Sequence, residues 1–309
     1  MKPRLLTIVG PTATGKSSLG ITLAQTLNGE IISADSRQVY QGFDIGSGKV
    51  NSEEMNGVPH HLLDIVPAWE DYSVQAWKES AETIIQDLCA QNILPIVVGG
   101  TGLYTESLTK GFQIPEIAPN PALRKKLEQK TVEQLQAQLT ILAPGLELNQ
   151  SDRNNPVRLI RAIEKAMAGI TNAPEVKSES PYNVIQIGLT TSPERLQERI
   201  SQRVDARLEN GAIEEVQGLY TELTDRLGPA LGLKKLKSFG LGTVTMLDYI
   251  HERLSWEDMR TKFITKEYQY AKRQLTWFQR DSSIHWFEAD TVTPKEVRKL
   301  IEEIWSETE

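Results

Sequence analysis

The stretch GPTATGKSS, Gly10 to Ser18, follows directly on the apolar run Leu5-Leu6-Thr7-Ile8-Val9. It has the form G-x-x-x-x-G-K-S, and its surroundings decide the fold. A short apolar run with β-branched residues, cut off by Gly and Pro, reads as a buried strand. Beyond Ser17 the pattern changes to Leu19, Ile21, Leu23, Ala24 and Leu27, which fits a helix packed on a sheet. The glycines therefore stand at a strand-to-helix turn, the context a phosphate-binding loop requires. Gly10 and Gly15 let the backbone of Pro11, Thr12, Ala13 and Thr14 curl with its N–H groups inward, and the helix N-terminus adds partial positive charge. Lys16 supplies a full charge to the outer phosphates, and Ser17 Oγ takes part of a Mg²⁺ shell. The competing reading, a chance glycine-rich turn, is disfavoured by the agreement of motif and context. The loop alone does not say whose phosphates it holds.

The chain has 309 residues, room for one large domain or two ordinary ones. With 39% hydrophobic and 24% charged residues it has the composition of an ordinary globular protein. A single cysteine, Cys89, excludes an internal disulfide and a cysteine zinc cluster, so a cytoplasmic setting is expected and Cys89 is taken as a packing residue. No apolar run has the length of a membrane span, and the N-terminus runs into the first strand with no room for a signal peptide. The net charge of −7 argues only weakly against nucleic-acid binding, because an average hides local patches.

Further strands are expected at 30–35, 93–98, 184–189 and 284–287, with helices at 73–90, 103–108, 123–142, 156–168, from Thr191 onward and at 294–305. Alternation of this kind predicts an α/β, P-loop NTPase-like fold with a doubly wound, mostly parallel sheet, whose ligands bind at the carboxyl ends of the strands. The proline-rich joints IPEIAPNP and NAPEVKSESPYN bound a stretch with no convincing strand. They predict a catalytic core of residues 1–114 and 183–309, with a helical insertion over 115–182.

Asp35 ends the second strand, on the same rim as the P-loop. It suits a Mg²⁺ ligand, a general base, or a cap of the following turn. The later strands end VVGGT and IGLTT, without the metal-binding aspartate of nucleotide-hydrolysing P-loop proteins, so the loop reads as a diphosphate holder. Arg195, Arg199, Arg203 and Arg207 recur every four residues along one drifting helix face. For Arg199 and Arg203 two readings stay open, a solvated face and cations over the P-loop; for Arg195 and Arg207 the solvated face is expected. From Met259 to Arg280 six basic residues stand against one acid, Glu267, with aromatics interleaved. Such a helix, with Lys272 and Arg273, suits RNA or an ordinary amphipathic helix with its aromatics in the core. His60 and His61 lack metal-ligand spacing and are expected to be structural.

GPTATGKSS, ADSRQVYQGFDIGSGK, VVGGTGLY, NPVRLIRAIE, RISQRVDARLENGAIEEV and YAKRQLTWFQR occur in that order. Together they resemble the bacterial tRNA dimethylallyltransferases (tRNA isopentenyltransferases) over nearly the whole chain. The resemblance implies that the P-loop holds dimethylallyl diphosphate, not ATP. The implied acceptor is the exocyclic amine of the adenosine immediately 3′ of the anticodon, in tRNAs reading codons that begin with U. It carries over Asp35 as general base and Thr101 as the group that places the base, both against the tRNA. It assigns the diphosphate to Gly10–Ser17 with Arg199 or Arg203 and Mg²⁺. Implied tRNA contacts are Ser36, Arg37, Gln38, Arg124, Val157, Arg158, Leu159, Ile160, Arg161, Lys237, Ser238, Phe239, Gly240 and Leu241. The insertion would close on the anticodon stem-loop, and a monomeric cytoplasmic enzyme is expected. Family members often read IGTAK where this chain has Ile45-Gly46-Ser47-Gly48-Lys49, and Gly-Tyr where it has Gly240-Leu241. The alternatives are a P-loop kinase of a small molecule or nucleoside, a prenyltransferase of free adenine nucleotides, and an RNA-binding protein with a relic phosphate loop.

Overall fold

Leu5, Leu6 and Ile8 are fully buried in strand β1 (Arg4–Val9) but serve opposite faces of a sheet. Leu5 packs with Ile32, Val97 and Trp77, whereas Leu6 and Ile8 pack with Ile31, Ile96 and Ile301. That two-sided burial is what an apolar run with alternating side chains produces when helices cover both faces. The computed structural model describes residues 2–111, 117, 120–171 and 180–307, with Leu241 described in its backbone only.

The chain divides into two compact units, residues 1–109 with 180–309, and residues 110–179. The first begins with β1, α1 (Lys16–Leu27), β2 (Gly29–Ser33), β3 (His60–His61), α2 (Val74–Ala90), β4 (Leu94–Val98) and α3 (Gly102–Thr109). The second contains α4 (Pro121–Leu127), α5 (Val132–Leu142), α6 (Gln150–Arg153) and α7 (Pro156–Met167). The first unit resumes with β5 (Asn183–Thr190), α8 (Pro193–Glu209), α9 (Ala212–Leu227), α10 (Pro229–Ser238), α11 (Leu241–Ile250), α12 (Trp256–Phe278), β6 (Ile284–Glu288) and α13 (Pro294–Glu307). The expected proline-rich joints fall largely on residues 112–116, 118–119 and 172–179, outside the described residues.

The sheet has the order β3-β2-β4-β1-β5-β6, and every pairing is parallel, as the sequence predicts. β1 is central, so the P-loop leaves the middle of the carboxyl edge, and the loop after β4 lies beside it. Ser192 caps α8 through the Arg195 N–H at 3.3 Å, with Pro193 in the first turn, again as expected.

Two details differ from the sequence reading. The helix expected over 123–142 is two helices, because Thr131 and Gln134 form a capping box that starts α5 afresh. Strand β3 was not expected: two histidines carry no periodicity, and the strand exists only through its pairing with Ile31 and Ile32. The second unit has its own core of Leu127, Leu135, Leu139, Leu159, Ile160 and Ile163.

Candidate active site

Gly10 has φ +136°, and a Cβ there would stand 2.4 Å from the Leu189 carbonyl oxygen, so the turn out of β1 admits only glycine. Gly15, at φ +85°, is the N-cap of α1. Between them Thr14 Oγ1 donates to the Pro11 carbonyl at 2.8 Å, and Lys16 Nζ donates to the same oxygen. Burial, and then the neighbouring Arg203 guanidinium, lower the Lys16 ammonium to about 7, against the pull of the Asp35 carboxylate.

A cleft of about 880 Å³ opens beside the loop. Its walls are Ala13, Gly15, Lys16 and Ser17 of the P-loop, the segment from Asp44 to Asn51, and Arg203 and Arg207 of α8. The 44–49 segment is tightly held. Glu215 of α9 accepts the N–H groups of Asp44, Ile45 and Gly46, each at 2.8 Å. Lys49 pairs with Asp44 and Asp64 and donates to the Tyr40 carbonyl. Arg203 Nη2 donates to the Gly48 carbonyl at 3.1 Å, and Arg207 Nη2 to that of Ser47 at 3.4 Å. Gly48, at φ +64°, has no space for a side chain: a Cβ would lie 2.2 Å from Arg203 Nη2 and 2.4 Å from Arg207 Nη2. The departure from IGTAK is thus a place where two guanidinium groups pass.

The four arginines of α8 separate by depth. Side-chain exposure is 54% for Arg195, 26% for Arg199 and 7% for Arg207. Four-residue steps on a 3.6-residue helix drift about 40° each, so the row turns from solvent into the protein. Arg195 pairs with Glu198, as a solvated face would have it. Arg199 pairs with Asp290 at 2.7 Å and reaches the Ala13 carbonyl at 3.5 Å, but is not a wall of the cleft. The expectation of a solvated Arg207 is corrected: it is buried against Glu267 and lines the cleft with Arg203.

On the other flank, the loops after β2 and β4 interlock. The Thr101 N–H donates to the Ala34 carbonyl at 3.1 Å, and Thr101 Oγ1 accepts the Ser36 N–H at 3.1 Å. A Cβ on Gly99 would stand 2.1 Å from the Ala34 oxygen, so this close approach needs glycine. Asp35 Oδ1 accepts the Arg37 N–H at 2.9 Å. Asp35 lies in electrostatic reach of Lys16, Arg207 and Tyr270. Asp35 and Thr101 are therefore brought together beside the P-loop.

Helix α12 supplies what the sequence did not reveal. Its outer face carries the exposed Lys272 and Arg273. Its inner face presents Glu267, Tyr270 and Gln274 to the site. Glu267, 5% exposed, lies 3.4 Å from Arg37 and 3.6 Å from Arg207. Tyr270 lies in electrostatic reach of Asp35, and burial raises the pKa of its hydroxyl. Arg37 lies over the Tyr270 ring, 4.5 Å from its centroid. Gln274 Oε1 accepts the Thr12 N–H and its Nε2 donates to the Gly100 carbonyl, both at 2.9 Å. The readable signal was Glu267, a lone carboxylate among six cations.

The remaining expected tRNA contacts divide by burial. Gln38 bonds Ser33 and the Gly48 carbonyl. Lys237 and Ser238 are exposed, and Gly240, at φ +130°, abuts Arg37. Phe239 is buried against Tyr40 and Phe43, and Leu159 and Ile160 are buried in the second unit, so these three side chains belong to the core. The side chain of Leu241 lies outside the described residues. Val157 is 73% exposed. Arg124 and Arg161 pair with the buried Glu164, and Arg158 with Asp152. Burial would raise the Glu164 carboxyl, but Arg124, the Asn120 N–H and Arg161 pull it down to about 2. His60 bonds the Val58 carbonyl and His61 bonds Glu30, structural tasks both.

Among the described residues, no group of three or more His, Cys, Asp or Glu is placed to hold a metal, and no helix is long and apolar enough to cross a membrane. The IPP transferase family matches residues 38–281, and the isopentenyl transferase family residues 3–67. The chain is 39% identical to the tRNA dimethylallyltransferase of Anoxybacillus flavithermus, covering 97% of this chain and 96% of that one. It is 36% identical to the structure of the full-length tRNA isopentenylpyrophosphate transferase from Bacillus halodurans, with a TM-score of 0.72 over 99% of this chain and 96% of that one. A eukaryotic dimethylallyltransferase captured acting on tRNA matches with a TM-score of 0.79 at 25% identity, over 99% of this chain and 80% of that one.

Proposed function

The chain belongs to the IPP transferase family, and on that footing we propose that it transfers the dimethylallyl group of dimethylallyl diphosphate to tRNA. The acceptor is the exocyclic amine of the adenosine 3′ of the anticodon, in tRNAs reading codons that begin with U. The observation that carries this reading is that Gln274 ties the P-loop at Thr12 to the loop after β4 at Gly100, while Thr101 of that loop accepts the Ser36 N–H, which puts the phosphate-binding loop and the Asp35 carboxylate in one site.

The bond between the allylic carbon and the diphosphate oxygen breaks, and a bond from that carbon to the adenine nitrogen forms. Diphosphate leaves with the electron pair of the broken bond, and one amine proton passes to Asp35. An adenine amine is a weak nucleophile, so the leaving group needs the help. The loop amides, Lys16 and Arg203 provide it, as fixed donors aimed at developing charge. Thr101 and Asp35 orient the amine, which contributes through placement. The adenine leaves its stack to reach them.

Ser17 lines the cleft and, among the described residues, no cluster of three carboxylate or other metal-ligating groups joins it, a donor set that fits Mg²⁺ arriving on the diphosphate better than a resident ion. Such an ion neutralises leaving-group charge when bound. Val157, Arg158, Lys237, Ser238, Lys272 and Arg273 are proposed tRNA contacts, supported by their exposure, and Ser36 is proposed from its place beside Asp35. Arg37, Gln38, Arg124, Arg161 and Gly240 are proposed as contacts that also brace the protein. A cytoplasmic monomer acting on the anticodon stem-loop completes the proposal.

The test is a transfer assay with Mg²⁺, labelled dimethylallyl diphosphate and unmodified tRNA, with AMP as a parallel acceptor and ATP as competitor. Label in tRNA alone supports the proposal. Label in AMP overturns the choice of acceptor, and no label with ATP stabilising the fold overturns the choice of donor.

A further inference from the structure

Arg207 is only 7% exposed, yet its Nε and Nη1 make no hydrogen bond. Its Nη1 stands 3.6 Å from Glu267 Oε2, within ion-pair range but too far for a hydrogen bond. Buried donors of a charged group are expensive to leave without acceptors. Glu267 cannot meet that need alone, because it also faces Arg37 at 3.4 Å. Arg207 lines the same cleft as Lys16 and the P-loop. Around it Lys16, Arg37, Arg203 and Arg207 stand against the carboxylates Asp35 and Glu267. The three guanidinium groups alone outnumber the two carboxylates, and a buried excess of this kind calls for an anion.

We propose that Arg207 is a specificity-determining residue of the donor cleft, held in place by Glu267, whose guanidinium pairs with the phosphoryl group that the P-loop does not enclose. The loop amides and Lys16 take one phosphoryl group, and Arg203 and Arg207 of α8 take the other. A diphosphate meets both walls and a monophosphate only one. Burial, and then Arg203, lower the Arg207 guanidinium to about 10, with Glu267 opposing, which agrees with a cation whose carboxylate partner is shared with Arg37. The inference rests on reading the cleft as the diphosphate site.

The test titrates the intact protein with inorganic pyrophosphate and, separately, inorganic phosphate, for wild type, Arg207→Met and Arg207→Lys. Loss of the charge-assisted contact is expected to weaken pyrophosphate binding by about tenfold or more in Arg207→Met. Phosphate affinity should change by less than about threefold, since it needs only the loop wall. Affinity for tRNA should remain as in wild type, which a general collapse of the site would not allow. Arg207→Lys keeps the charge but not the planar fork, and should show a loss of several-fold; it carries the test if Arg207→Met does not fold. Pyrophosphate affinity equal to wild type in the folded variants overturns the role of Arg207 and leaves the cleft assignment standing. Failure of wild type to bind pyrophosphate overturns the cleft assignment and the inference with it.

Discussion

Gln274 holds Thr12 from a distance of 262 residues in sequence: its Oε1 accepts the Thr12 N–H at 2.9 Å. Its Nε2 donates to the Gly100 carbonyl, also at 2.9 Å, so one amide ties the P-loop to the loop that carries Thr101. Gln274→Leu should leave the protein folded and lower the single-turnover transfer rate by about a hundredfold, the scale of a small misplacement of reacting groups. Gly100→Ala should reproduce the loss, because its Cβ would fall 2.0 Å from Gln274 Nε2. A rate unchanged in both would remove the tie from the account.

Gly48→Ala sets a methyl group against the guanidinium groups of Arg203 and Arg207 and strains a φ of +64°. The expected result is a rise of about tenfold in the KM for the diphosphate donor, with tRNA affinity unchanged, since charge-assisted hydrogen bonds are shifted rather than removed. Steady-state kinetics with each substrate varied in turn separates the two effects.

Glu164 anchors the second unit through Arg124, Arg161 and the Asn120 N–H. Its carboxyl titrates at about 2 in the folded chain against an ordinary 4.5, so the stabilisation is complete above 4.5 and is lost as pH falls toward 2. Glu164→Gln should destabilise this unit at neutral pH by on the order of 2 kcal/mol and flatten its response below pH 4.5. Amide exchange along α7, followed as a function of pH in the intact protein, reads the difference; identical profiles for variant and wild type would contradict it.

Lys272 and Arg273 leave the outer face of α12 while Gln274 faces in. Lys272→Ala with Arg273→Ala should weaken tRNA binding and reduce the steepness of its salt dependence by about 0.7 to 0.9 per lost phosphate contact. The melting temperature should stay close to that of wild type, because both side chains are exposed. Unchanged salt dependence would confine the helix to its internal role.

The strand, loop and helix around Gly10 to Ser18 were legible because each signal is local: an apolar run, two glycines, a change of period. The same holds for β2, β4, β5 and β6 and for the Ser192 cap. Strand β3 was not legible, since His60 and His61 become a strand only by pairing with Ile31 and Ile32. Arg207 was misjudged because a four-residue spacing marks a face, while the drift of that face into the protein depends on what packs against the helix. Glu215 and Gln274 act on backbone amides far away in sequence, and no pattern announces such partners. Leu159, Ile160 and Phe239 show what a motif leaves out: it assigns a whole run to the ligand, while the side chains of these three pack in the core.

The central claim is that Asp35 takes the amine proton in a site whose P-loop holds the departing diphosphate. Single-turnover transfer by Asp35→Asn, with tRNA and pyrophosphate affinities measured on the same protein, tests it most directly. A rate lower by about a hundredfold or more, with both affinities near wild type, is the expected result for loss of a general base. A rate equal to wild type, or a loss accounted for by weakened binding of either substrate, would contradict the claim.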